Sequence, residues 1–393
     1  MEPVYLDHSA TTPVDAEVLA AMMRFFANHF GNPSSIHRFG REAREAVEDA
    51  RGRVARLLGS EPGEIVFTGG GTEADNLAIM GAAWARTDGK NEIVTSAVEH
   101  PAVLNACRFL ESRGFRVTYV PADGQGLVDP DEVGKAITDR TFLVSVMHGN
   151  NETGTLAPIA TIGAMARERG ILMHTDAVQT VGKIPFDVED LAVDLLSVAG
   201  HKIHAPKGVG ALYVRDGTPL HAVQFGGHQE GERRAGTENV PGIVGLGKAC
   251  EIALRDMAVH LESLGTLRDR LEQAVLNSVE DVRVNTHPVH RLPHILNVSF
   301  RGIKGDELVR ELDGRGIAVS AGAACGAGTV KISHVIEALG IPREWATGTV
   351  RFSLGKGNTA EEIDRAAAAV VESVDKLRRI AELEASLGGR GCR

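Results

Sequence analysis

Cys325 stands in SAGAACGAG, residues 320–328, with only serine, alanine and glycine for neighbours. A structural cysteine wants apolar side chains around it, whereas a reactive thiol needs access and freedom to move. Cys107 and Cys250 fall on apolar faces of helical patterns and read as core, and Cys392 reads as an inert terminal thiol with a relay role as the alternative. A second candidate is EIVFTGGGTEADNLAI, residues 64–79, which reads as a strand, a glycine run, Thr72 and a helix. Glycines let a backbone come close to an anion, and a helix start offers unpaired N–H groups and a favourable dipole. Gly71 and Thr72 are therefore candidate phosphate binders. The pattern is neither a P-loop nor the spaced dinucleotide fingerprint, and a plain tight turn with Thr72 as N-cap is the bland alternative.

Two further stretches carry charge at strand ends. In ILMHTDAVQTVGK, residues 171–183, Asp176 closes a strand, where open α/β sheets place their ligand crevice, and Gln179 follows three residues on. An acid there suits a cationic ring nitrogen or a ribose hydroxyl, or simply caps a helix. In DLLSVAGHKIHAPKGVGALYV, residues 194–214, Lys202 follows a buried strand beside His201. A partly desolvated amine can lose its proton and attack a carbonyl. Lys207, in a Pro-Lys-Gly turn, is the weaker candidate, and both read equally as surface lysines. His201 and His204 lack a third ligand, so no metal site is expected, and THPVHRLPH (residues 286–294) reads as a solvated loop. An anion cradle, an acid and an amine in this order fit pyridoxal phosphate, which has a phosphate to hold, a ring nitrogen to keep protonated and an aldehyde to capture.

The elements that must position these groups are legible as alternation. EIVF, NEIVTS, FRVTYV, TFLVSVM, GILMHTD and ALYV read as strands, with helical patterns such as PAVLNACRFLESRG between them, where Val103, Leu104, Cys107 and Leu110 share a face. This predicts an α/β fold with a mostly parallel sheet wrapped by helices. A long helical stretch over about 241–279 follows, then strand candidates HILNVSF and GIAVS, the Cys325 loop, the helix SHVIEALG and a closing amphipathic helix opened by a T-x-x-E capping pattern. The expected division is a large domain over 15–258 and a smaller α+β domain from 1–14 plus 259–393, carrying the cysteine loop at about 320–333. A net charge of −10 argues against a nucleic-acid or anionic-membrane surface, and no apolar run is long enough to span a bilayer. Four cysteines without close pairing argue against a disulfide framework or zinc knuckle, leaving a reducing cytoplasm as the expected compartment.

Taken together, YLDHSATTP, FGNPSSIHRFGREA, FTGGGTEADNLAI, EHPAVL, HGNNETG, HTDAVQTVGK, GHKIHAPKGVGALYV, RRAGTENV, ILNVSF and RFSLG make the chain resemble the cysteine desulfurases, fold-type I, class-V pyridoxal-phosphate enzymes of the nitrogen-fixation and iron–sulfur-assembly type. The resemblance runs over nearly the whole chain. It implies that Lys202 holds the cofactor, Asp176 pairs with the ring nitrogen, and His100 lies on the ring face and moves protons. Gln179 and Asn151 would bond the phenolic oxygen, with Asn151 also near the substrate carboxylate. Gly71, Thr72 and His201 would bind the phosphate, joined by Thr237 from a second subunit of a homodimer. Arg351 would clamp the carboxylate of L-cysteine in a bidentate fork. Cys325 would match the persulfide-forming nucleophile on a long, mobile loop, passing sulfur to an acceptor protein such as a cluster scaffold or a thiolation enzyme. The family carries a serine where Ala199 stands, so one hydroxyl donor to the phosphate is missing and weaker cofactor affinity is expected. Selenocysteine lyase or another class-V enzyme is the alternative within the family, and a non-catalytic sulfur-transfer scaffold is the alternative outside it.

Overall fold

The computed structural model describes residues 2–321, 323–326 and 329–388, with the side chains of 323–326, 329–331 and 385–388 outside the description. The chain opens with β1 (Val4–Tyr5) and then builds β2 (Ile65–Thr68), β3 (Glu92–Ser96), β4 (Arg116–Val120), β5 (Thr141–Ser145), β6 (Leu172–Asp176), β7 (Leu195–Ala199) and β8 (Gly210–Val214). The last seven form one sheet in the order β2-β8-β7-β6-β5-β3-β4, in which β8 alone runs against its neighbours. Every residue of β2, β3, β5, β7 and β8 is buried. Strands covered on both faces need apolar residues throughout, which is why they read as continuous runs and not as alternation. β4 lies at the edge and is accordingly half-exposed. The helix Pro101–Glu111 buries Val103, Leu104, Cys107 and Leu110, as their helical spacing predicts.

Beyond residue 280 come β9 (Val282–Val284), β10 (Ile295–Phe300), β11 (Ile317–Ala318), β12 (Ser320–Ala321), β13 (Ala323–Gly326), β14 (Thr329–Ile332) and β15 (Thr349–Ser353). An antiparallel sheet orders these as β12-β15-β10-β9, while β11 pairs in parallel with β1. The GIAVS strand is therefore broken at Val319, because its two halves serve two partners. The stretch around Cys325 also departs from the loop expected of it. Its backbone forms an antiparallel hairpin, with Cys325 opposite Val330, although the Cys325 side chain lies outside the described residues, as does Cys392.

One helix, Val240–Ser278, runs through both apolar cores. Its first turns bury Ile243, Leu246 and Cys250 against the large sheet's core, and its last bury Leu271 and Val275 with Leu296, Phe300 and Phe352. The closing helix, Ala360–Gly388, realises its capping box: Thr359 Oγ1 accepts from Glu362 N–H at 3.3 Å, and Glu362 Oε2 accepts from Thr359 N–H at 3.2 Å. THPVHRLPH divides. His290 is exposed as expected of a solvated loop, but His294, next to the start of β10, is buried and its Nε2 lies 3.2 Å from Lys183 Nζ. Among the described residues, no helix is long and apolar enough to cross a membrane.

Candidate active site

A cleft of about 920 Å³ opens where the parallel strands end, as expected of such a sheet. It gathers Gly71, Thr72, His100, Asn151, Asp176, Gln179, His201, Lys202 and Arg351. Of the residues singled out from sequence, Thr237 is exposed and does not line its own chain's cleft, and the Cys325 side chain is outside the description.

Each group arrives by a local cause. The helix Gly71–Trp84 starts without a side-chain cap; its N-cap is Gly70, at φ 148°, so Thr72 is not the capping residue and its hydroxyl stays uncommitted to that task. The approach is close. A Cβ on Gly71 would meet Val178 Cγ2 at 2.8 Å and Ala199 Cβ at 3.3 Å. Uncapped helix N–H groups beside bare backbone make a place for an anion. Asp176 ends β6, and no helix follows it; its Oδ1 instead accepts the N–H of Val178 at 2.9 Å. His100 caps Pro101–Glu111 through Nδ1, which accepts from Ala102 N–H at 3.1 Å. The neutral ring therefore carries its proton on Nε2.

Burial sets the charge states. The Lys202 amine is brought down to about 8, first by desolvation and then by the charge of Arg351, and it donates to the carbonyls of Ser9 and of Ala10, the latter at 2.8 Å. Lys207 is exposed although it borders the same cleft. The contrast favours Lys202 as the reactive amine. His201 is lowered to about 4, mainly by burial and then by Lys202 and Lys207, so it is neutral, with Nδ1 3.2 Å from Thr11 Oγ1. His100 is lowered by burial, with Asp176 pulling the other way.

Asp176 does not stand alone. Asp75, on the helix after the glycines, is fully buried beside it, and candidate ligand atoms of Asp75, His100 and Asp176 all lie within 4.8 Å of one another. Burial raises both carboxyls, and Asp75 the further, with the neighbouring Asp176 charge adding to the effect. Of the two, Asp176 is raised less and so keeps its charge the more readily. Behind it, His174 Nε2 lies 3.1 Å from Ser197 Oγ and Nδ1 2.8 Å from Ser145 Oγ. Asp75 was not found from sequence. An acid among Ala74, Leu77 and Ala78, all buried, is the signal that marks it.

Arg351 comes from the other sheet, in the middle of β15. Its guanidinium donates to Asn151 O at 2.8 Å and to Asp7 Oδ1 at 2.7 Å, leaving Nε without a partner among the described residues; Asp7 is another residue that sequence reading gave no role. Asn151 Oδ1 and Ser9 Oγ are likewise buried without partners among the described residues. Such orphans in a polar cleft are met by a ligand or by water. A depressed lysine, a buried acid, orphan amide and hydroxyl oxygens and an anion cradle fit a phosphorylated pyridine aldehyde and an amino-acid carboxylate.

Fold and cleft together define an enzyme of the kind that holds such an aldehyde on a lysine. The class-V aminotransferase family model matches residues 4–366. A cysteine desulfurase IscS from Dictyoglomus turgidum is 48% identical over 377 residues, covering 96% of each chain. Among solved structures, a NifS-like protein superposes with a TM-score of 0.90 at 40% identity, over 95% of this chain and 100% of its own. SspA in complex with cysteine gives 0.79 at 40% identity, over 89% and 98%. The chain belongs to the cysteine desulfurases, a pyridoxal-phosphate-dependent branch of the class-V family.

Proposed function

We propose that this chain takes the sulfur of L-cysteine, leaves L-alanine, and carries the sulfur as a persulfide on Cys325 to an acceptor protein. The observation that carries this reading is the convergence of Lys202, Asp176, His100 and Arg351 on one cleft beside an uncapped helix start. The cofactor supplies an aldehyde that captures amines and a ring that takes up electrons from the substrate's α-carbon. Lys202 is the residue that holds it, and its amine takes and returns the α-proton. Asp176 would pair with the ring nitrogen. His100 would stand beside the ring and offer Nε2 for proton movement. Gln179 and Asn151 hold the phenolic oxygen, and Gly71, Thr72 and His201 the phosphate, with Thr237 of a second copy. Arg351 exchanges Asp7 for the carboxylate of L-cysteine, whose two oxygens suit its fork. The Cys325 thiolate then attacks the substrate sulfur. The S–S bond forms as the C–S bond breaks, the bonding pair stays with the β-carbon, and a proton completes the methyl of alanine.

A homodimer is supported by the exposed apolar side chains Leu19, Met23, Phe26, Phe30 and Ile36 near the start of the chain. The two-domain division, 15–258 against 1–14 plus 259–393, is supported by the two cores that share the helix Val240–Ser278. Ile332, Val335, Ile336 and Leu339 pack into the first core, so the Cys325 hairpin lies at the seam. The acceptor is a cluster scaffold or a thiolation enzyme, and a reducing compartment such as the cytoplasm suits a thiol carrier. The test is to supply L-cysteine and a thiol reductant to cofactor-loaded enzyme. Equal alanine and sulfide, with one added sulfur on the peptide spanning residue 325, is the expected result. Alanine without that sulfur removes Cys325 from the reaction, and no alanine overturns the whole reading.

A further inference from the structure

Ser333 and His334 follow β14 directly, at the C-terminal root of the hairpin, and both reach turns of the large sheet. Ser333 Oγ donates to Glu152 Oε1 at 2.7 Å while accepting Val335 N–H at 3.1 Å as a helix cap. The His334 ring donates from Nε2 to the backbone carbonyl of Glu99 at 2.8 Å. Glu152 follows Asn151 and Glu99 precedes His100, so each contact lands beside a cleft residue. Both receiving groups are themselves fixed. Glu152 N–H donates to Asn150 Oδ1 at 2.9 Å, and its carbonyl accepts from Asn297 Nδ2 at 3.0 Å. Glu99 Oε1 accepts from Ser96 Oγ at 2.5 Å and from Met147 N–H at 2.9 Å.

The Glu152 carboxyl is raised chiefly by burial, and its Oε2 has no hydrogen-bond partner among the described residues. Ser333 uses a single carboxyl oxygen, Oε1, as its acceptor, a part that the amide oxygen of glutamine can play equally well. The other root of the hairpin is also tied to the cleft, since β12 places Ser320 opposite Arg351 and Ala321 opposite Val350. Cys325 lies four residues beyond Ala321, so its Cα stays within about 14 Å of that strand however the chain runs.

We propose that Glu152 and the Glu99 carbonyl act as positioning groups: by holding Ser333 and His334, they tie the root of the Cys325 hairpin to the turns that present Asn151 and His100. The consequence for sulfur delivery rests on the reading of Cys325 given above; the tether itself does not. Hydrogen exchange of the peptide spanning 320–340 in cofactor-loaded enzyme tests it, with persulfide mapping in parallel. Ser333→Ala and Glu152→Leu should each speed exchange of that peptide about fivefold, the worth of one lost buried hydrogen bond. Glu152→Gln should restore the unmutated rate, and cofactor absorbance should be the same in all. Unchanged exchange in Ser333→Ala, equal effects of Glu152→Gln and Glu152→Leu, or altered cofactor absorbance each overturns the tether. Faster exchange together with no sulfur on Cys325 of the unmutated enzyme upholds the tether and overturns the sulfur-carrier reading instead.

Discussion

In the large sheet the candidate groups sit where strands stop, whereas beyond it one sits within a strand of the smaller sheet and another on a separate hairpin. Asp176 closes β6, Lys202 comes just after β7, and the glycines come just after β2. Arg351 instead stands mid-strand in β15, and Cys325 on β13. Strand ends are fixed by the sheet behind them yet free to face a ligand, which suits groups that hold a cofactor in one place. A mid-strand arginine is rigid through its pairing and serves as a clamp. The hairpin adds a reach that a closed sheet cannot supply. On the function proposed above, the large domain would hold the cofactor, and the smaller one would clamp substrate and carry sulfur.

The broadest break in this division comes from Lys202→Ala. It should abolish covalent cofactor attachment, read as the loss of a borohydride-fixed adduct, and lower turnover of L-cysteine by about a thousandfold. Lys207→Ala, at an exposed position, should change turnover by less than about twofold. An adduct on Lys207 would reverse the assignment. Cys325→Ala should affect one side alone. Cofactor absorbance and its response to L-cysteine persist, while sulfur on the 325 peptide and sulfide output vanish. Arg351→Lys keeps the charge but not the fork, so KM for L-cysteine should rise about tenfold to a hundredfold with cofactor absorbance unchanged. If that variant disturbed the cofactor as Lys202→Ala does, the division between holding and clamping would fail.

What was readable in advance follows the same line. A strand end is a local event: a buried run, then a turn residue, then a polar group. Lys202, Asp176, His201 and the Gly71–Thr72 start all show it within a few residues of sequence. Asp75, His174 and Glu152 do not, because nothing near them in sequence states that they will face another buried group. Asp75 acquires meaning only when its helix lies against β7 and brings it to Asp176. Asp7 meets Arg351 across most of the chain, placed there by its backbone bridge to Ser353 at the end of β15. His294 was grouped with the polar loop before it, although the fully buried strand Ile295–Phe300 begins at the next residue and carries it inward to meet Lys183. The hairpin was invisible for a further reason: alanine and glycine carry no strand pattern, so the pairing of Cys325 with Val330 leaves no periodic trace.

The smallest effect tests whether the two regions are electrically independent, and the structure argues that they are not. Lys202 must be neutral to attack an aldehyde, so the rate at which cofactor reattaches to cofactor-stripped enzyme rises with pH and levels once the amine has lost its proton. Burial and Arg351 set that half-point at about 8, whereas a lysine at its ordinary value would still be gaining at pH 10. Desolvation is the larger cause and belongs to the large domain, while the Arg351 charge belongs to the smaller sheet. Arg351→Met removes that charge, so the protonated amine becomes easier to keep and the half-point should move upward, staying below the ordinary lysine value because burial remains. Arg351→Lys retains the charge and should leave the half-point near 8. The two substitutions therefore separate the fork from the charge: lysine loses the grip on L-cysteine without moving the titration, and methionine loses both. An unmoved half-point in Arg351→Met would mean that solvent between the sheets screens the arginine from Lys202, and that the holding and clamping regions meet only through the substrate.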